Sequence, residues 1–376
     1  MEVIIFLVLL GVLVGIELLI YRHHGMDDLS LDVQFSKPVA EFGEVIEVIE
    51  TAQNNKKMPL PFLILKFEAP TALVFLDMTN TSASDYLYRE DMLTMKPFSR
   101  HTRRIKVRCT KRGYFSFARV IVSSSDLLLL EKFHLEFDNQ ATITILPEII
   151  NTRELLTLLS VTFSDIQQRR TLLTDPFAFS GIREYQSWDP MKSINWTATA
   201  RAGEFMVNEN ASTSTRQVTI FLNLEYYNAK KSDSLLEKSI SMVYSYMIRL
   251  IQAGISCALF TNGKDVLTDM PVSCEMSSSQ SQIRLCGESL ARIDRKKGVV
   301  SFSDLLETSI SRTSADDCTL IVSPRWDTPV RSALRQLKQR RPSMFWLLPY
   351  YKTGAKPAIE QELSENLIRW ELWGHD

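Results

Sequence analysis

The sequence predicts one membrane-crossing helix, then an all-β sandwich, then an α/β domain built on a mainly parallel sheet. Three observations predict this. Residues 3–21 form a nearly unbroken apolar run. Between residues 30 and 147, short alternating segments are punctuated by Pro, Gly and Asn. From there on, stretches of helical period alternate with compact apolar runs. The expected parts are an anchor over 1–26, the sandwich over 27–150 and the α/β domain over 151–376.

Val3 to Tyr21 is apolar apart from Gly11, Gly15 and Glu17, and about 20 residues suffice to cross a bilayer. Its fifteen Leu, Ile, Val and Phe residues contribute roughly −0.3 to −0.6 kcal/mol each to insertion. Glu17 opposes insertion by at most about 3 kcal/mol, and by less near a helix end, where a carboxylate reaches the interface. A cleaved signal peptide is the competing reading. Against it, no Lys or Arg precedes the run, the run is long for such a segment, and no A-x-A site follows. Glu2 precedes the span, while Arg22, His23 and His24 follow it. The bias of basic residues toward the cytoplasm predicts a single-pass protein of the cell membrane with cytoplasmic globular domains.

A chain of 376 residues, 45% hydrophobic and 23% charged, can bury the cores of two domains. The formal net charge of −1 leaves no global field to recruit nucleic acid or acidic substrates. Five scattered cysteines (Cys109, Cys257, Cys274, Cys286, Cys318) include no C-x-x-C pair. That usage suits a reducing compartment and offers neither a disulfide framework nor a zinc site.

In the second part, Leu31 to Phe35, Val45 to Ile49 and Phe62 to Phe67 alternate or run apolar between Pro38, Gly43, Asn54-Asn55, Pro59 and Pro61. The series continues with R-I-K-V-R-C, Y-F-S-F, V-I-V and T-I-T-I-L. Short strands between turn residues imply an antiparallel sandwich of immunoglobulin-like kind. From Arg100 to Arg112 there are seven cations and no acid. Arg104, Lys106 and Arg108 alternate with Ile105, Val107 and Cys109, so three cations share one strand face. A solvated or edge strand guarded by charge is the plain reading. Contact of Arg104, Lys106 and Arg108 with anionic headgroups is the alternative. No aromatic platform or recognition helix points to nucleic acid.

In the third part, Asn151 to Arg170 reads as a helix with Leu155, Leu158, Leu159 and Phe163 on one face. Q-V-T-I-F-L-N-L reads as a buried strand. A helix capped by Ser232 or Asp233 follows, in which Leu236, Ile240, Val243, Met247 and Leu250 step by three and four. Gly254 ends it. Next come a strand I-S-C-A-L-F-T, a helix near Gln282 to Ile293, a strand C-T-L-I-V, a helix from Val330 to Arg341 and a strand M-F-W-L-L. Helices alternating with apolar strands imply a parallel sheet covered on both faces.

Between the first helix and the first strand of this part lies F-S-G-I-R-E-Y-Q-S-W-D-P-M-K-S-I-N-W-T-A-T-A-R, Phe179 to Arg201. It interleaves aromatics with charges of both signs. Asp189-Pro190 reads as a helix start, running to Ala202 with Gly203 as a left-handed cap. Gly181, Arg183, Tyr185, Asp189, Trp196 and Arg201 are the candidate site residues. One reading is a structural clasp in which Arg183, Asp189 and Arg201 pair beneath the rings; the other is a docking surface. The clasp is preferred, because Arg–carboxylate pairs under aromatic cover are often architectural.

The segment resembles the signature of the bacterial membrane-associated family called domain of unknown function fifty-eight, F-x-G-x-R-x-Y-x-x-G-D-x-x-R-x-I-x-W-x-x-x-A-R. Arg112-Gly113-Tyr114 matches that family's R-G-x-Y-like pattern, and Ser125 to Leu129 stands where it has a D-P-x-G-L-F-like turn. The sequence departs from the signature at Trp188, Lys192 and Asn195. The resemblance implies a von Willebrand factor type A-like fold for the third part. It also implies a MoxR-type AAA+ ATPase as partner, in maturation or insertion of other proteins. Metal-binding type A domains use D-x-S-x-S after the first strand. Here Asn223, Glu225 and Tyr227 fall at those positions, so no metal and no cofactor is expected. Partner contact is expected at the strand ends, including a Thr261-Asn262-Gly263 turn, with Arg325 and Trp326 as anchors.

No G-x-S-x-G, Walker loop, H-E-x-x-H or G-x-G-x-x-G appears, and His101, His134 and His375 lie in unrelated segments. The expectation is a non-catalytic, membrane-tethered binding or adaptor protein. The alternatives are a cell-envelope enzyme with an unrecognised active site, and an outward-facing structural or receptor protein.

Overall fold

The computed structural model describes residues 1–77, 81–83, 87–172, 174–187, 189–212, 217–225, 229–294, 297–352, 357 and 359–372. They form two compact units. One holds Met1–Glu148 with Asp265–Thr268 and Gly287–Asp294; the other holds Ile149–Lys264, Asp269–Cys286 and Arg295–Asp376.

The first unit opens with helix α1, Glu2–His24. Its stretch Val3–His24 has a mean hydropathy of 3.1 and is long and apolar enough to cross a membrane. Length and composition fit both a membrane anchor and a signal sequence. The last turns are tied down: the Tyr21 ring is buried, its hydroxyl donates to the Pro59 carbonyl, and Lys56 Nζ donates to the carbonyls of Gly25 and Asp27. Burial holds the Lys56 ammonium below its usual pKa, against the pull of Asp27 and Asp28.

Ten strands follow: β1 Leu29–Phe35, β2 Val39–Ala40, β3 Val45–Asn54, β4 Leu60–Ala69, β5 Leu73–Phe75, β6 Thr81–Ala83, β7 Leu87–Met95, β8 Ser99–Cys109, β9 Gly113–Ser125 and β10 Lys132–Ile145. They make two sheets, β1-β3-β8-β5 and β2-β10-β9-β4-β7-β6, antiparallel except where β10 meets β2. This is the β-sandwich that the alternation predicts. Along β3 and the last five residues of β8 every second residue is buried, because a pleated strand sends successive side chains to opposite faces. Val48, Leu63, Phe67, Val107, Phe117 and Ile143 meet in the core.

Arg104, Lys106 and Arg108 lie on the exposed face, as alternation requires. β8 is not a simple edge strand, because β5 pairs with its last three residues. Inward-facing Arg103 instead meets buried Asp91 at 2.6 Å. In the Arg112-Gly113-Tyr114 motif, Arg112 Nη1 donates to the carbonyls of Leu290, Ala291 and Ile293. Gly113 has φ +156°, and a Cβ there would meet the Phe115 ring at 2.5 Å.

The second unit starts with α2, Arg153–Leu172, and the hairpin strands β11, Thr174–Glu184, and β12, Met206–Ser212. A 3₁₀ turn Met191–Ser193 and helix α3, Trp196–Ala202, lie between those strands in the chain. Then come β13 Gln217–Leu222, α4 Ala229–Gln252, β14 Ser256–Lys264, β15 Pro271–Ser277, α5 Gln280–Ala291 (from Gly287 on counted with the first unit), α6 Phe302–Ile310, β16 Cys318–Val322, α7 Thr328–Arg340, β17 Met344–Tyr351, α8 Gln361–Ser364 and β18 Leu367–Leu372. The sheet order is β15-β14-β13-β16-β17-β18, parallel except for β15. Strands β13 and β16 are buried almost throughout, as expected of strands covered on both faces.

Helix α4 buries Leu236, Ile240, Val243, Met247 and Leu250 on one stripe, as their spacing predicts. It starts at Ala229, ahead of the expected cap at Ser232 or Asp233. Helix α2 buries Leu155, Leu158 and Leu159, but Phe163 is exposed. The stripe continues instead through Thr162 and Ile166, whose spacing keeps the 3.6-residue period. Thr162 Oγ1 lies 2.6 Å from the Tyr246 hydroxyl in the core. All five cysteines are free and buried. Burial pushes the Cys257 thiol up to about 12 and the Cys109 thiol up to about 11, so both stay protonated and unreactive.

Candidate functional site

Open α/β sheets bind ligands beyond the carboxyl ends of their strands, where the strand order reverses. Here that place lies between β13 and β16. Leu222 pairs with Thr261 on one side and Val322 on the other. The next residue of each strand path is therefore level across the sheet: Asn223, Asn262 and Ser323. All three are fully buried, and a buried amide or hydroxyl must find partners.

They find one another. Asn262 Nδ2 donates to Asn223 Oδ1 (2.9 Å) and to the Val300 carbonyl (3.1 Å). Asn262 Oδ1 accepts from the Leu224 amide (2.8 Å). Asn223 Nδ2 donates to Ser323 Oγ (3.1 Å), and Asn223 Oδ1 also accepts from the Glu225 amide (2.9 Å).

Above this layer sit Glu225, Arg325 and Asp327. Arg325 Nη1 donates to Glu225 Oε2 at 2.8 Å, and its Nε donates to Asp327 Oδ2 at 2.9 Å. Glu225 Oε1 accepts from the amide of Phe302, the first residue of α6 (2.9 Å). Asp327 stands at the N-terminal boundary of α7. One guanidinium thus bridges two carboxylates placed at the starts of helices, where negative charge is favoured.

This arrangement bears on two expectations. The Thr261-Asn262-Gly263 segment is part of β14 and not a turn. Arg325 is not a free anchor, since both neighbouring acids hold it, and Trp326 packs partly against the core. Of the expected metal-ligand positions, Asn223 and Glu225 are engaged as described, and Tyr227 lies outside the described residues. Among the described residues no group of three His, Cys, Asp or Glu converges in a way that would hold a metal ion.

The signature supplies the end of β11 and most of the segment that joins it to β12. Arg183 grips Asp189 with both terminal nitrogens, at 2.6 and 2.7 Å. Asp189 Oδ2 also accepts from the Gln186 amide at 2.9 Å, which closes the loop. The Arg183 guanidinium first, and the Gln186 amide second, hold the Asp189 carboxyl below its ordinary value of 3.8.

Asp189 does not start the expected helix. Helix α3 begins at Trp196, and Asn195 caps it by accepting from the Ala198 amide at 2.9 Å. Asn195 Nδ2 also donates to Asn208 Oδ1. The end is as expected, with Gly203 left-handed at φ 80°. Arg201 is exposed, and among the described residues neither Arg183 nor Asp189 bonds to it. The clasp is therefore a pair and not a trio. Gly181 pairs with Glu209 in the hairpin, and Trp188 lies outside the described residues.

Phe205 stands between Tyr185 (6.1 Å) and Trp196 (6.4 Å), edge to face with each. Trp196 is 64% exposed, and Phe205 and Met191 are also exposed. Trp196 is among the candidates that the signature offers, whereas Phe205 lies beyond it and carries no motif of its own.

An Asp189→Asn protein is expected to lose protection of the Gln186 amide in hydrogen exchange. For the native carboxylate the pKa is depressed, so its contribution is present above the unfolded value near 3.8 and lost as pH falls through the lower folded value. Gln186 exchange, corrected for its intrinsic pH dependence, should rise over that acid window in the native chain and stay flat in the variant. Equal protection in both at neutral pH would refute the loop-closing role.

No protein-family model matches this sequence, and no curated protein matches it. Among solved structures, the CARDB domain of the PF1109 protein from Pyrococcus furiosus aligns at 12% identity and a TM-score of 0.21, over 31% of this chain and 92% of that one. A non-cellulosomal cohesin from Archaeoglobus fulgidus aligns at 13% identity and 0.21, over 34% and 97%. The seventh ScaB type I cohesin from Pseudobacteroides cellulosolvens aligns at 14% identity and 0.21, over 33% and 96%. Scores this low carry no argument, and the β-sandwich stands on its own strand pairing.

Proposed function

We propose that this chain is a non-catalytic, membrane-tethered binding protein that presents its signature hairpin to a protein partner. The observation that carries the reading is the exposure of Trp196, Phe205 and Met191, with Phe205 set edge to face against Trp196. Exposed aromatics clustered on a rigid element are typical of interaction sites.

The resemblance to the family named domain of unknown function fifty-eight directs the choice of partner to a MoxR-type AAA+ ATPase. A doubly wound strand order with an antiparallel edge strand supports the type A-like reading of the second unit. The buried Tyr21 and the bonds at the end of α1 support an uncleaved anchor. Five free cysteines and Arg22 after the span support cytoplasmic domains. Against the enzyme alternative, Ser123 and His134 hydrogen-bond at 2.8 Å as a cross-strand pair on an open surface, not in a cleft.

A photo-crosslinking residue in place of Met191, in the full chain in its native membranes, should capture the ATPase. Trp196→Ala/Phe205→Ala should abolish the capture without loss of folded protein. Undiminished capture by that double variant would show the hairpin to be the wrong surface. Recovery of no ATPase from any membrane preparation would remove the adaptor reading.

A further inference from the structure

The turn between β9 and β10 carries four consecutive leucines, Leu127 to Leu130, between 51% and 62% exposed. A hairpin turn in water ordinarily holds polar or small residues. This one is also built to keep its shape. Asp126, fully buried, accepts from the Leu128 amide through Oδ2 (3.1 Å) and from the Glu131 amide through Oδ1 (2.7 Å). The Asp126 carbonyl accepts from the Leu129 amide at 3.2 Å. Leu129 adopts φ 59°, a left-handed conformation that a leucine rarely takes. A rigid frame thus holds four apolar side chains outward.

The second observation fixes where this turn lies. The Leu127 amide donates to Glu17 Oε1 of α1 at 2.8 Å. Val14, Gly15, Glu17 and Leu18 are partly covered, whereas most of the span lies open. Glu17 precedes Tyr21 by four residues, so the turn reaches about 6 Å up the helix from the end of the apolar run. Side chains of interfacial elements enter a bilayer by about 5–10 Å. Phe98, exposed at φ 48°, projects from the same end of the sandwich, since its amide donates to the carbonyl of Lys56, which itself holds Gly25.

We propose that Leu127–Leu130 is a membrane-inserting loop that enters the acyl region beside α1 and seats the sandwich on the bilayer. The occupant is lipid hydrocarbon, because the loop is continuous with an apolar span and contacts it at a depth that lipid would surround. The loop's backbone also satisfies one oxygen of Glu17, the one acid in the span. This proposal rests on reading α1 as an anchor.

The test uses the full chain in vesicles of mixed neutral and anionic phospholipid with brominated acyl chains. Single cysteines at Leu128→Cys, Leu13→Cys and Glu41→Cys carry an environment-sensitive fluorophore; the five native thiols are buried. Leu130→Cys duplicates the loop probe in case the first disturbs folding. The proposal expects blue-shifted, strongly quenched emission at Leu13 and at the loop, with none at Glu41, which lies at the opposite end of the sandwich. Quenching at Leu13 without quenching at the loop overturns the insertion while the anchor stands, and leaves a protein partner to cover the leucines. Quenching at neither site removes the anchor and the proposal with it.

Discussion

Replacing Arg341 with alanine is expected to destabilise the α/β unit by about 3–5 kcal/mol, the range for removing one member of a buried charged group. Arg341 is 1% exposed. Its Nη2 donates to the carbonyls of Ile310 and Thr313 and to Thr313 Oγ1, and its Nη1 donates to Thr319 Oγ1. It therefore ties the end of α6 and the start of β16 to the end of α7. Its charge also acts on Asp317, buried nearby and bonded to the Thr219 hydroxyl at 3.0 Å. Burial raises the Asp317 pKa above its ordinary value, and Thr219 and then Arg341 pull it back.

Without Arg341 that carboxyl rises further. A carboxyl whose folded pKa lies above the unfolded value loses stability as pH climbs through the folded value. The deficit of the variant should thus be largest near neutral pH and shrink in acid. Urea titrations of the α/β transition at two pH values test this. A deficit independent of pH would show that lost hydrogen bonds, not charge, dominate. A negligible deficit would show that the site collapses without loss.

The parts of this fold legible in the sequence are those encoded by near neighbours. Alternation along Val45 to Ile49 and Arg104 to Cys109 predicts strands of a sandwich, because period two is a property of one strand alone. The stripe from Leu236 to Leu250 predicts α4 for the same reason at period 3.6. Edge strands β15 and β18 and helix α6 were missed, since short partly exposed elements carry few periods. The signature misled at Asp189-Pro190. Its carboxylate is a good helix cap in isolation, yet Arg183, six residues earlier, offers two charge-assisted bonds instead.

The polar layer at the strand ends was the least legible, because its partners lie 39 and 100 residues apart. One signal was present all the same. Three apolar runs end in a polar residue at the same step: Q-V-T-I-F-L before Asn223, C-A-L-F-T before Asn262, and C-T-L-I-V before Ser323. Parallel strands in register bring such positions level, so the recurrence already implied a buried polar layer.

Asn262→Ala is the second large effect. The change leaves the buried Leu224 amide without its acceptor and the Val300 carbonyl without a side-chain donor. Each orphaned buried group costs about 1–3 kcal/mol, so a loss of about 3 kcal/mol is expected. Asn262→Asp should do no better despite its shape, because a carboxylate oxygen would replace Nδ2 against Asn223 Oδ1. These variants also separate architecture from docking. If the strand ends are structural and the hairpin edge binds the partner, folded Asn262→Ala protein should still crosslink to the ATPase from residue 191. Trp196→Ala/Phe205→Ala should show the reverse, near-native stability with no capture. Loss of capture in folded Asn262→Ala protein, measured at matched amounts of native chain, would instead assign the binding to the carboxyl end of the sheet.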